Sequence, residues 1–374
     1  MKNDTDSALL DSICQPTLLL DEDIAKQNLQ FMSRKIAKAG VRFRPHFKTH
    51  QSAQIGEWFR EVGVKAITVS SLDMAEYFAA AGWNDILIAF SLNLRQIDRI
   101  RALAQKIHLE VLVENITAVR ALQAIAPAPA SVWIKVDVGA HRTGMDWQEL
   151  QSIQAVAAEI EKFPHLQLRG LLTHSGNTYH VASPAEVVHT FREGVDRLNQ
   201  LREQLLQAGF RSLQISVGDT PGCSLCSDFS GIDELRPGNF VFCDTQQLII
   251  GSCSAEQIAV AVACPIVAIH PRRQEVVIYG GAIHLSKDWL ELNGEVSFGM
   301  AALQEKTHWG KPLENAIVRS LSQEHGVVQF KAGIPPELNV GDLLFILPAH
   351  SCLTVQELHY YLTLDGKIIQ TMNS

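Results

Sequence analysis

The sequence predicts an α/β protein: a (β/α)8 TIM-type barrel followed by a C-terminal, mostly antiparallel β domain. Strand-like apolar runs alternate with amphipathic helical patterns about eight times in the first two-thirds of the chain, as expected for a parallel barrel. After about residue 248 the helical patterns end, and short strand-like runs separated by Pro, Gly and Asn follow. We therefore expect a barrel domain at residues 22–248. The β domain is expected at residues 249–374, with an added N-terminal strand at about residues 12–21.

The barrel elements are predicted from the alternation of the two patterns. Strands are expected at residues 41–43, 66–69, 86–90, 109–113, 132–137, 168–173, 213–217 and 234–236. Helices are expected at residues 24–39, 52–61, 71–81, 94–106, 116–125, 148–162 and 185–207. Parallel strands need long crossover connections, which are usually helical, so this order favours a parallel barrel.

The β domain is predicted from short runs that turn residues separate. Strands are expected at residues 260–270, 275–278, 326–330, 342–347 and 358–363. Pro271 and the pairs Gly-Gly, Asn-Gly and Asp-Gly lie between them. Residues 17–20, Thr-Leu-Leu-Leu, are predicted as a strand of the same domain. We expect no long helix in this part of the chain.

Composition and charge exclude several classes of function. The 374 residues are 47% hydrophobic and 19% charged, which is typical of a globular enzyme. A net charge of -8 provides no basic field for nucleic acid. Residues 1–11 are polar and lack a signal-peptide pattern, and the longest apolar run is too short to cross a membrane. We therefore expect a cytoplasmic protein without nucleic-acid or membrane partners.

The cysteines do not indicate a disulfide framework, because seven of them are scattered over a long chain. Cys223 and Cys226 form a Cys-x-x-Cys pair. No second pair at zinc-ribbon spacing accompanies it, and it does not open a thioredoxin-like unit. We interpret this pair as structural or incidental.

Lys48 is the most informative residue, because it lies between a predicted strand and a predicted helix. It belongs to the sequence Arg-Pro-His-Phe-Lys-Thr-His at residues 44–50. A lysine among apolar and aromatic neighbours loses its proton more easily than a solvated one. The neutral amine can form a Schiff base with a carbonyl compound or with pyridoxal phosphate. The alternative is a surface charge beside a turn.

Further unusual residues follow four other predicted strands, in loops at residues 137–144, 174–179, 216–222 and 236–239. The active site of a (β/α)8 barrel forms where the strands end, and phosphate usually binds after strands seven and eight. The last two loops are rich in small residues whose N–H groups can point at a phosphate, and Thr220 adds a hydroxyl. As alternatives, these loops are simple turns, Arg142 forms an interdomain salt bridge and Tyr179 serves packing.

A candidate metal pair, His350 and Cys352, follows a predicted strand in the C-terminal part. Alternate residues of an extended segment point to the same side, so the two side chains can bind one metal ion. Imidazole and thiolate favour Zn2+ over Mg2+ or Mn2+. The alternative is a core histidine beside a buried cysteine. A third ligand would have to come from substrate, water or another residue.

These motifs together resemble the D-threonine aldolase / D-serine dehydratase family, whose members are fold-type III pyridoxal-phosphate enzymes related in architecture to alanine racemase. The resemblance covers nearly the whole chain. It rests on the motif of Lys48, on Asp-Val-Gly-x-x-Arg-Thr-Gly, His-Ser-Gly-x-x-Tyr, Gly-Asp-Thr-Pro, Glu-Leu-Arg-Pro-Gly-Asn-Phe-Val-Phe-x-Asp, Ser-Gln-Glu-His-Gly and Pro-Ala-His-Ser-Cys-x-Thr-Val. The family fold, a barrel plus a C-terminal β domain, agrees with the prediction from the residues.

The resemblance implies roles for particular residues. Lys48 is similar to the Schiff-base lysine, and His350 and Cys352 are similar to the metal pair. The implied cofactor contacts are Arg142, near the phenolic oxygen, and Tyr179, with a phosphate cradle formed by Gly218, Thr220, Gly238 and Asn239. A homodimer is expected, and Glu324 and His325 are expected near the active site or at the dimer interface.

The resemblance also implies an activity on D-3-hydroxy amino acids. The aldolase branch typically has a carboxylate two residues after the histidine, whereas the dehydratase branch has a cysteine, similar to Cys352. This favours β-elimination to a keto acid and ammonia, as in D-serine dehydratase. In that reaction Lys48 takes the Cα proton, the pyridinium ring accepts electrons, and Zn2+, Mn2+ or another divalent metal activates the β-hydroxyl.

Other activities stay open. The first alternative is aldolase-type cleavage to glycine and an aldehyde. The others are an amino-acid racemase, a non-catalytic pyridoxal-phosphate-binding protein and a metal-binding structural protein.

Overall fold

The computed structural model describes residues 9–373, so the first eight residues of the segment expected to lack a signal peptide lie outside it. The chain forms two compact units. The barrel unit comprises residues 31–48 and 59–238, and the β unit comprises residues 1–30, 49–58 and 239–374. No helix among the described residues is long and apolar enough to cross a membrane.

The barrel unit contains eight parallel strands, and from the second strand onward each is hydrogen-bonded to the next one along the chain. They are Arg42–Phe43, Ile67–Val69, Asp85–Ser91, His108–Val113, Ala130–Asp137, Leu166–Leu172, Gln214–Val217 and Glu234–Leu235. The last strand pairs with the first. A single parallel bridge between His46 and Thr68 joins the first strand to the second, so the sheet closes on itself. The predicted (β/α)8 barrel is confirmed. An additional two-residue strand, Met145–Asp146, pairs with the end of Ala130–Asp137.

The helices lie between the strands. Those within the barrel unit are Leu72–Ala80, Ile97–Ala104, Ile116–Ala121, Leu150–Glu161, Pro184–Gln207 and Thr220–Leu225. Two further helices, Glu22–Lys38 and Ala53–Glu61, include residues of both units. Short 3-10 helices are Leu94–Gln96, Leu122–Ile125 and Gly176–His180. Side-chain oxygens of Ser71, Asn115, Ser183 and Asp219 accept N–H groups of the first turn, which fixes where these helices begin.

The β unit contains a closed antiparallel sheet of six strands. In spatial order these are Glu275–Tyr279, His325–Phe330, Ala316–Leu321, Gly299–Ala302, Leu343–Pro348 and Val260–His270, which pairs again with the first. Thr17–Leu20, Tyr360–Thr363 and Ile368–Gln370 extend the sheet beyond Val260–His270. Shorter strands are Leu290–Leu292, Glu295–Ser297, Gln304–Glu305 and His308–Trp309. The antiparallel C-terminal domain is thus confirmed, although seven of its strands were not predicted.

The β unit also contains short helices. They are Thr245–Ile250, Ala282–Leu285 and Ser351–Leu358, with 3-10 turns at Asn239–Val241, Ala255–Gln257 and Pro271–Arg273. Its core includes Leu19, Ala261, Ala263, Phe345 and Leu347. The longest of these helices has eight residues, in agreement with the expectation of no long helix.

Candidate active site

Lys48 lies just after the first barrel strand, where aromatic packing fixes the backbone. The ring of Phe47 is buried and lies 4.8 Å from Phe59, 4.9 Å from Phe78 and 5.1 Å from Trp83. Its N–H donates to the carbonyl of Thr68 at 2.8 Å. The half-buried side chain of Lys48 therefore extends from an anchored backbone position, as a lysine needs in order to hold a covalent cofactor.

Positive charge is concentrated on the barrel unit near Lys48. Lys135 is 6% exposed, and burial together with Arg236 and Arg142 lowers its pKa to about 7. Burial and Lys48 hold the pKa of His46 well below its usual range. These mutually unfavourable charges are typical of a site that binds an anion.

A rigid loop carries Arg142. One carboxylate oxygen of Asp137 accepts the N–H groups of Gly139, Ala140 and His141 at 2.8, 2.9 and 3.1 Å. A Cβ atom on Gly144, whose φ is +113°, would lie 2.6 Å from the Asp137 nitrogen, so the turn requires glycine. Arg142 itself is exposed and lines a polar cavity of about 540 Å³.

The loops after strands six, seven and eight lie close together, as the sequence predicts for a phosphate cradle. The hydroxyl of Tyr179 accepts the N–H of Thr220 at 3.2 Å. A Cβ atom on Gly218 would lie 2.8 Å from the Arg236 carbonyl oxygen, so a glycine is needed where these two loops meet. The structure thus brings Tyr179, Gly218 and Thr220 together.

Two neighbouring side chains that the sequence analysis did not single out complete this region. His174 Nδ1 lies 2.5 Å from the Gly218 carbonyl. Since a carbonyl only accepts, Nδ1 carries the proton. Asp219 is buried and caps Thr220–Leu225, and burial raises its pKa to about 7. Both residues lie inside the motifs that predicted the loops.

The candidate metal pair lies at the start of a helix in the β unit, so the predicted extended segment is correct at His350 and wrong at Cys352. His350 caps the helix Ser351–Leu358, so Cys352 belongs to its first turn. The buried positions 351, 352, 354 and 355 have helical spacing, which the sequence analysis overlooked. Burial alone would lower the pKa of His350. The neighbouring Cys352 and Asp244 raise it by more than burial lowers it, so the pKa lies above its usual value. The two side chains therefore interact despite the different backbone conformation.

Asp244 is a further residue at the metal pair that the sequence analysis missed. Its Oδ2 atom lies 3.2 Å from His350 Nδ1 and accepts the Ser351 N–H at 3.0 Å. The Asn239 amide donates to the same oxygen at 2.6 Å and accepts from the Ser351 hydroxyl at 2.6 Å. The side chain of Asn239 is thus engaged beside the metal pair. Asp244 is the last residue of the motif at residues 234–244. Its place in that motif was the sequence feature that could have identified it.

Glu324 and His325 lie in the β unit. A carboxylate oxygen of Glu324 is 3.9 Å from His284 Nε2, and His325 is exposed at the start of His325–Phe330. His284 belongs to the helix Ala282–Leu285. The carbonyl of Leu285 accepts the hydroxyl of Thr354, which links this helix to the one that follows His350.

Another set of potential metal ligands lies at the opposite ends of the barrel strands. Among residues 9–373, one group of three or more His, Cys, Asp or Glu has ligand atoms within 4.8 Å of one another, namely Asp85, His108 and Glu110. The buried Arg44 pairs with Asp85 at 2.7 Å and with Glu110 at 2.9 Å. Because a guanidinium already neutralises these carboxylates, the donor set does not fit a cation. Among the same residues, His350 and Cys352 belong to no group of three such ligand atoms that all lie within 4.8 Å of one another.

The barrel with residues gathered at its strand ends, followed by an antiparallel domain, defines the alanine racemase-like class of fold. Residues 20–246 match the family described as "Alanine racemase, N-terminal domain", and residues 259–364 match the "Putative serine dehydratase domain". The chain belongs to this family and, within it, to the D-threonine aldolase / D-serine dehydratase branch of lyases. The predicted family is confirmed.

Two relatives match along almost their whole length. D-threo-3-hydroxyaspartate dehydratase of Delftia sp. (strain HT23) is 28% identical over 364 residues, which cover 94% of this chain and 95% of the relative. D-serine dehydratase of Dictyostelium discoideum is 28% identical over 390 residues, which cover 97% of this chain and 96% of the relative. The solved structure of the Delftia enzyme matches with a TM-score of 0.89 at 26% identity. The match covers 97% of this chain and 98% of the Delftia chain.

The residues present fit both groups that the family implies. For pyridoxal phosphate, the barrel unit offers Lys48, an excess of buried positive charge and loops whose close approach requires Gly218. For a metal, the β unit offers imidazole and thiolate donors, with a carboxylate behind the imidazole.

Proposed function

We propose that this protein is a pyridoxal-phosphate- and metal-dependent lyase that eliminates water from D-3-hydroxy amino acids, after which hydrolysis of the released enamine gives a keto acid and ammonia. The observation that carries this proposal is the pair of His350 and Cys352 on a helix start that Asp244 supports. A nitrogen and sulfur donor set suits Zn2+. Relatives that match along nearly the whole chain are named dehydratases, which supports elimination.

On the barrel unit, we assign Lys48 to hold the cofactor and to move the proton at the substrate Cα. When bound, pyridoxal phosphate supplies the electron sink that makes this proton acidic. We propose that Arg142 contacts the phenolic oxygen of the cofactor. Tyr179, Gly218 and Thr220, with Gly238 and the backbone of Asn239, are proposed to hold the phosphate. The side chain of Asn239 is left out of this role because Asp244 and Ser351 engage it.

On the β unit, we assign His350 and Cys352 to hold Zn2+. A metal in this position supplies a Lewis acid, which makes a β-hydroxyl a better leaving group. We also propose that a third ligand comes from water or substrate, as is common for catalytic zinc. Other divalent metals are competitors, and equilibrium dialysis with Zn2+ and Mn2+ in parallel distinguishes them.

The second candidate is aldolase-type cleavage of the Cα–Cβ bond, which gives glycine and an aldehyde. It is supported by a relative named D-threonine aldolase from Arthrobacter sp., which is 24% identical over 343 residues. The two reactions share the cofactor and the metal but differ in the bond that breaks.

One assay separates the two candidates. Purified protein with pyridoxal phosphate and Zn2+ is given D-serine, D-threonine and D-threo-3-hydroxyaspartate in turn, and keto acid, ammonia, glycine and aldehyde are measured together. Keto acid with an equal amount of ammonia supports the proposal and identifies the substrate. Glycine with an aldehyde moves the protein to the aldolase reaction. Racemised substrate alone, or no turnover with the cofactor bound, contradicts both.

We further propose that the protein is a homodimer, that its domains divide near residue 248, and that it acts in the cytoplasm. Sedimentation velocity of the cofactor-loaded protein tests the first point, and a monomer at micromolar concentration would contradict it. Limited proteolysis tests the domain boundary. Fractionation of the cells that produce the protein tests the location.

A further inference from the structure

Asp244 stands out among the carboxylates of the β unit because it is fully buried beside a metal-ligand candidate and each oxygen has a defined partner. Its Oδ1 atom accepts the Gln247 N–H at 3.0 Å and so begins the helix Thr245–Ile250. Its Oδ2 atom lies 3.2 Å from His350 Nδ1. One side chain thus joins the start of a helix to the imidazole.

We propose that Asp244 is the positioning residue of the metal site: it holds His350 by Nδ1 and directs Nε2 to the metal. This inference rests on the proposed metal role of His350 and Cys352. A carboxylate accepts only, so its bond to Nδ1 keeps a proton on that nitrogen and makes Nε2, which releases its own proton when a metal binds, the ligand atom. Carboxylates that orient a ligating histidine in this way raise metal affinity without touching the metal.

Asn239 and Ser351 fix Asp244 in turn. The Asn239 amide donates to Asp244 Oδ2 at 2.6 Å, and the Ser351 N–H donates to it at 3.0 Å. The Ser351 hydroxyl is 2.6 Å from Asn239 Oδ1 and 3.3 Å from Asp244 Oδ2, so its single hydrogen goes to the amide oxygen. All three residues are at most 5% exposed. The carboxylate therefore has little freedom to leave the imidazole.

Asp21 provides a matched control in the same unit. Its Oδ1 atom accepts the Ile24 N–H at 2.9 Å at the start of a helix, and its Oδ2 atom lies 3.1 Å from His308 Nε2. It therefore makes the same two kinds of bond as Asp244. Since no metal role is proposed for His308, Asp21→Asn reports the structural cost of losing such a carboxylate.

The test measures metal binding separately from turnover. Zn2+ is titrated calorimetrically into chelator-treated, pyridoxal-phosphate-loaded wild type, Asp244→Asn and Asp21→Asn. We expect the Kd for Zn2+ to rise about 10- to 100-fold in Asp244→Asn and to stay unchanged in Asp21→Asn. The absorption spectrum of the Co2+-loaded protein reports ligand geometry, and we expect it to change in Asp244→Asn alone.

An unchanged Kd and Co2+ spectrum in Asp244→Asn would overturn this inference, even if the melting temperature falls. Absence of Zn2+ binding by the wild type would overturn the proposed metal site and this inference together, which distinguishes the two failures. If Asp244→Asn does not fold, the Zn2+-loaded wild type decides by 15N NMR of its histidines, with His350→Gln for assignment. A proton on Nδ1 and metal on Nε2 support the inference, and the reverse overturns it.

Discussion

The strand ends of the barrel unit and the Asp244 network of the β unit balance their charges in different ways. In the barrel unit, burial and then the nearby Arg236 and Arg142 lower the pKa of Lys135, and the carboxylates of Glu114 and Asp137 do not offset them. In the β unit, one carboxylate accepts hydrogen bonds from three residues around the metal pair. The first arrangement would be completed electrostatically by the anion that we propose it binds. The second is largely assembled without a cation. The proposed cofactor and the proposed metal would thus meet differently prepared sites.

The largest expected effect concerns the barrel unit and follows from Lys48→Ala. If this lysine moves the Cα proton, its removal lowers kcat by about 10²- to 10⁴-fold. Borohydride reduction of the loaded protein, followed by peptide mass spectrometry, should attach the cofactor to Lys48 in the wild type. Lys65→Ala removes an exposed lysine and serves as the control. Attachment at another lysine would refute the assignment.

The next effect concerns the β unit. We expect His350→Ala to lose stoichiometric Zn2+ binding and turnover but to keep the absorbance of the bound cofactor, because the imidazole contributes only to the metal pair. Metal analysis and cofactor titration measure the two properties separately. His189→Ala changes an exposed histidine and should change neither. Turnover by a verified metal-free sample contradicts the metal role.

A smaller effect concerns the free energy of unfolding and tests whether the pKa of Lys135, in the barrel unit, is lowered. The folded pKa of Lys135 is about 7, below its usual value of 10.5, so between these pH values the unfolded chain holds a proton that the folded cofactor-free protein has released. The free energy of unfolding therefore rises with pH through this window, by at most about 1.4 kcal/mol per pH unit. Urea unfolding at several pH values should show this slope in the wild type and a weaker one in Lys135→Met. Equal slopes in the two proteins would refute the lowered pKa of Lys135. Lys65→Met is the control and should keep the slope of the wild type.

The smallest effect concerns a single hydrogen bond at the proposed phosphate site. Tyr179→Phe removes the acceptor of the Thr220 N–H, which corresponds to about 1 kcal/mol or roughly a fivefold weaker affinity for pyridoxal phosphate. Cofactor titration by fluorescence measures this change. Tyr360→Phe in the β unit is a suitable control, and equal affinities in all three proteins would remove Tyr179 from the site.

The barrel was predictable from the sequence because each strand–helix unit repeats one local pattern. All eight strands lie within two residues of their predicted ends, since buried parallel strands are short apolar runs bounded by polar turns. The small strands of the β unit, such as Gly299–Ala302 and His308–Trp309, were missed because they are short and lack alternation. Their conformation depends on pairing with distant segments.

The site was predictable only where its residues share a motif. Arg142, Tyr179 and Thr220 stand in loops whose positions follow from the strands. Asp244 is separated from His350 by 106 positions, and no local pattern connects them. The extended conformation predicted for this segment holds at His350 but not at Cys352, because two side chains at alternate positions do not distinguish a strand from the first turn of a helix.

The closure of the barrel has a mechanical consequence for Lys48. The first two strands share one bridge, at His46 and Thr68, and the N–H groups of Phe47 and Thr68 form the backbone bonds there. The chain beside Lys48 is therefore held by the aromatic rings around Phe47 more than by a ladder of backbone bonds.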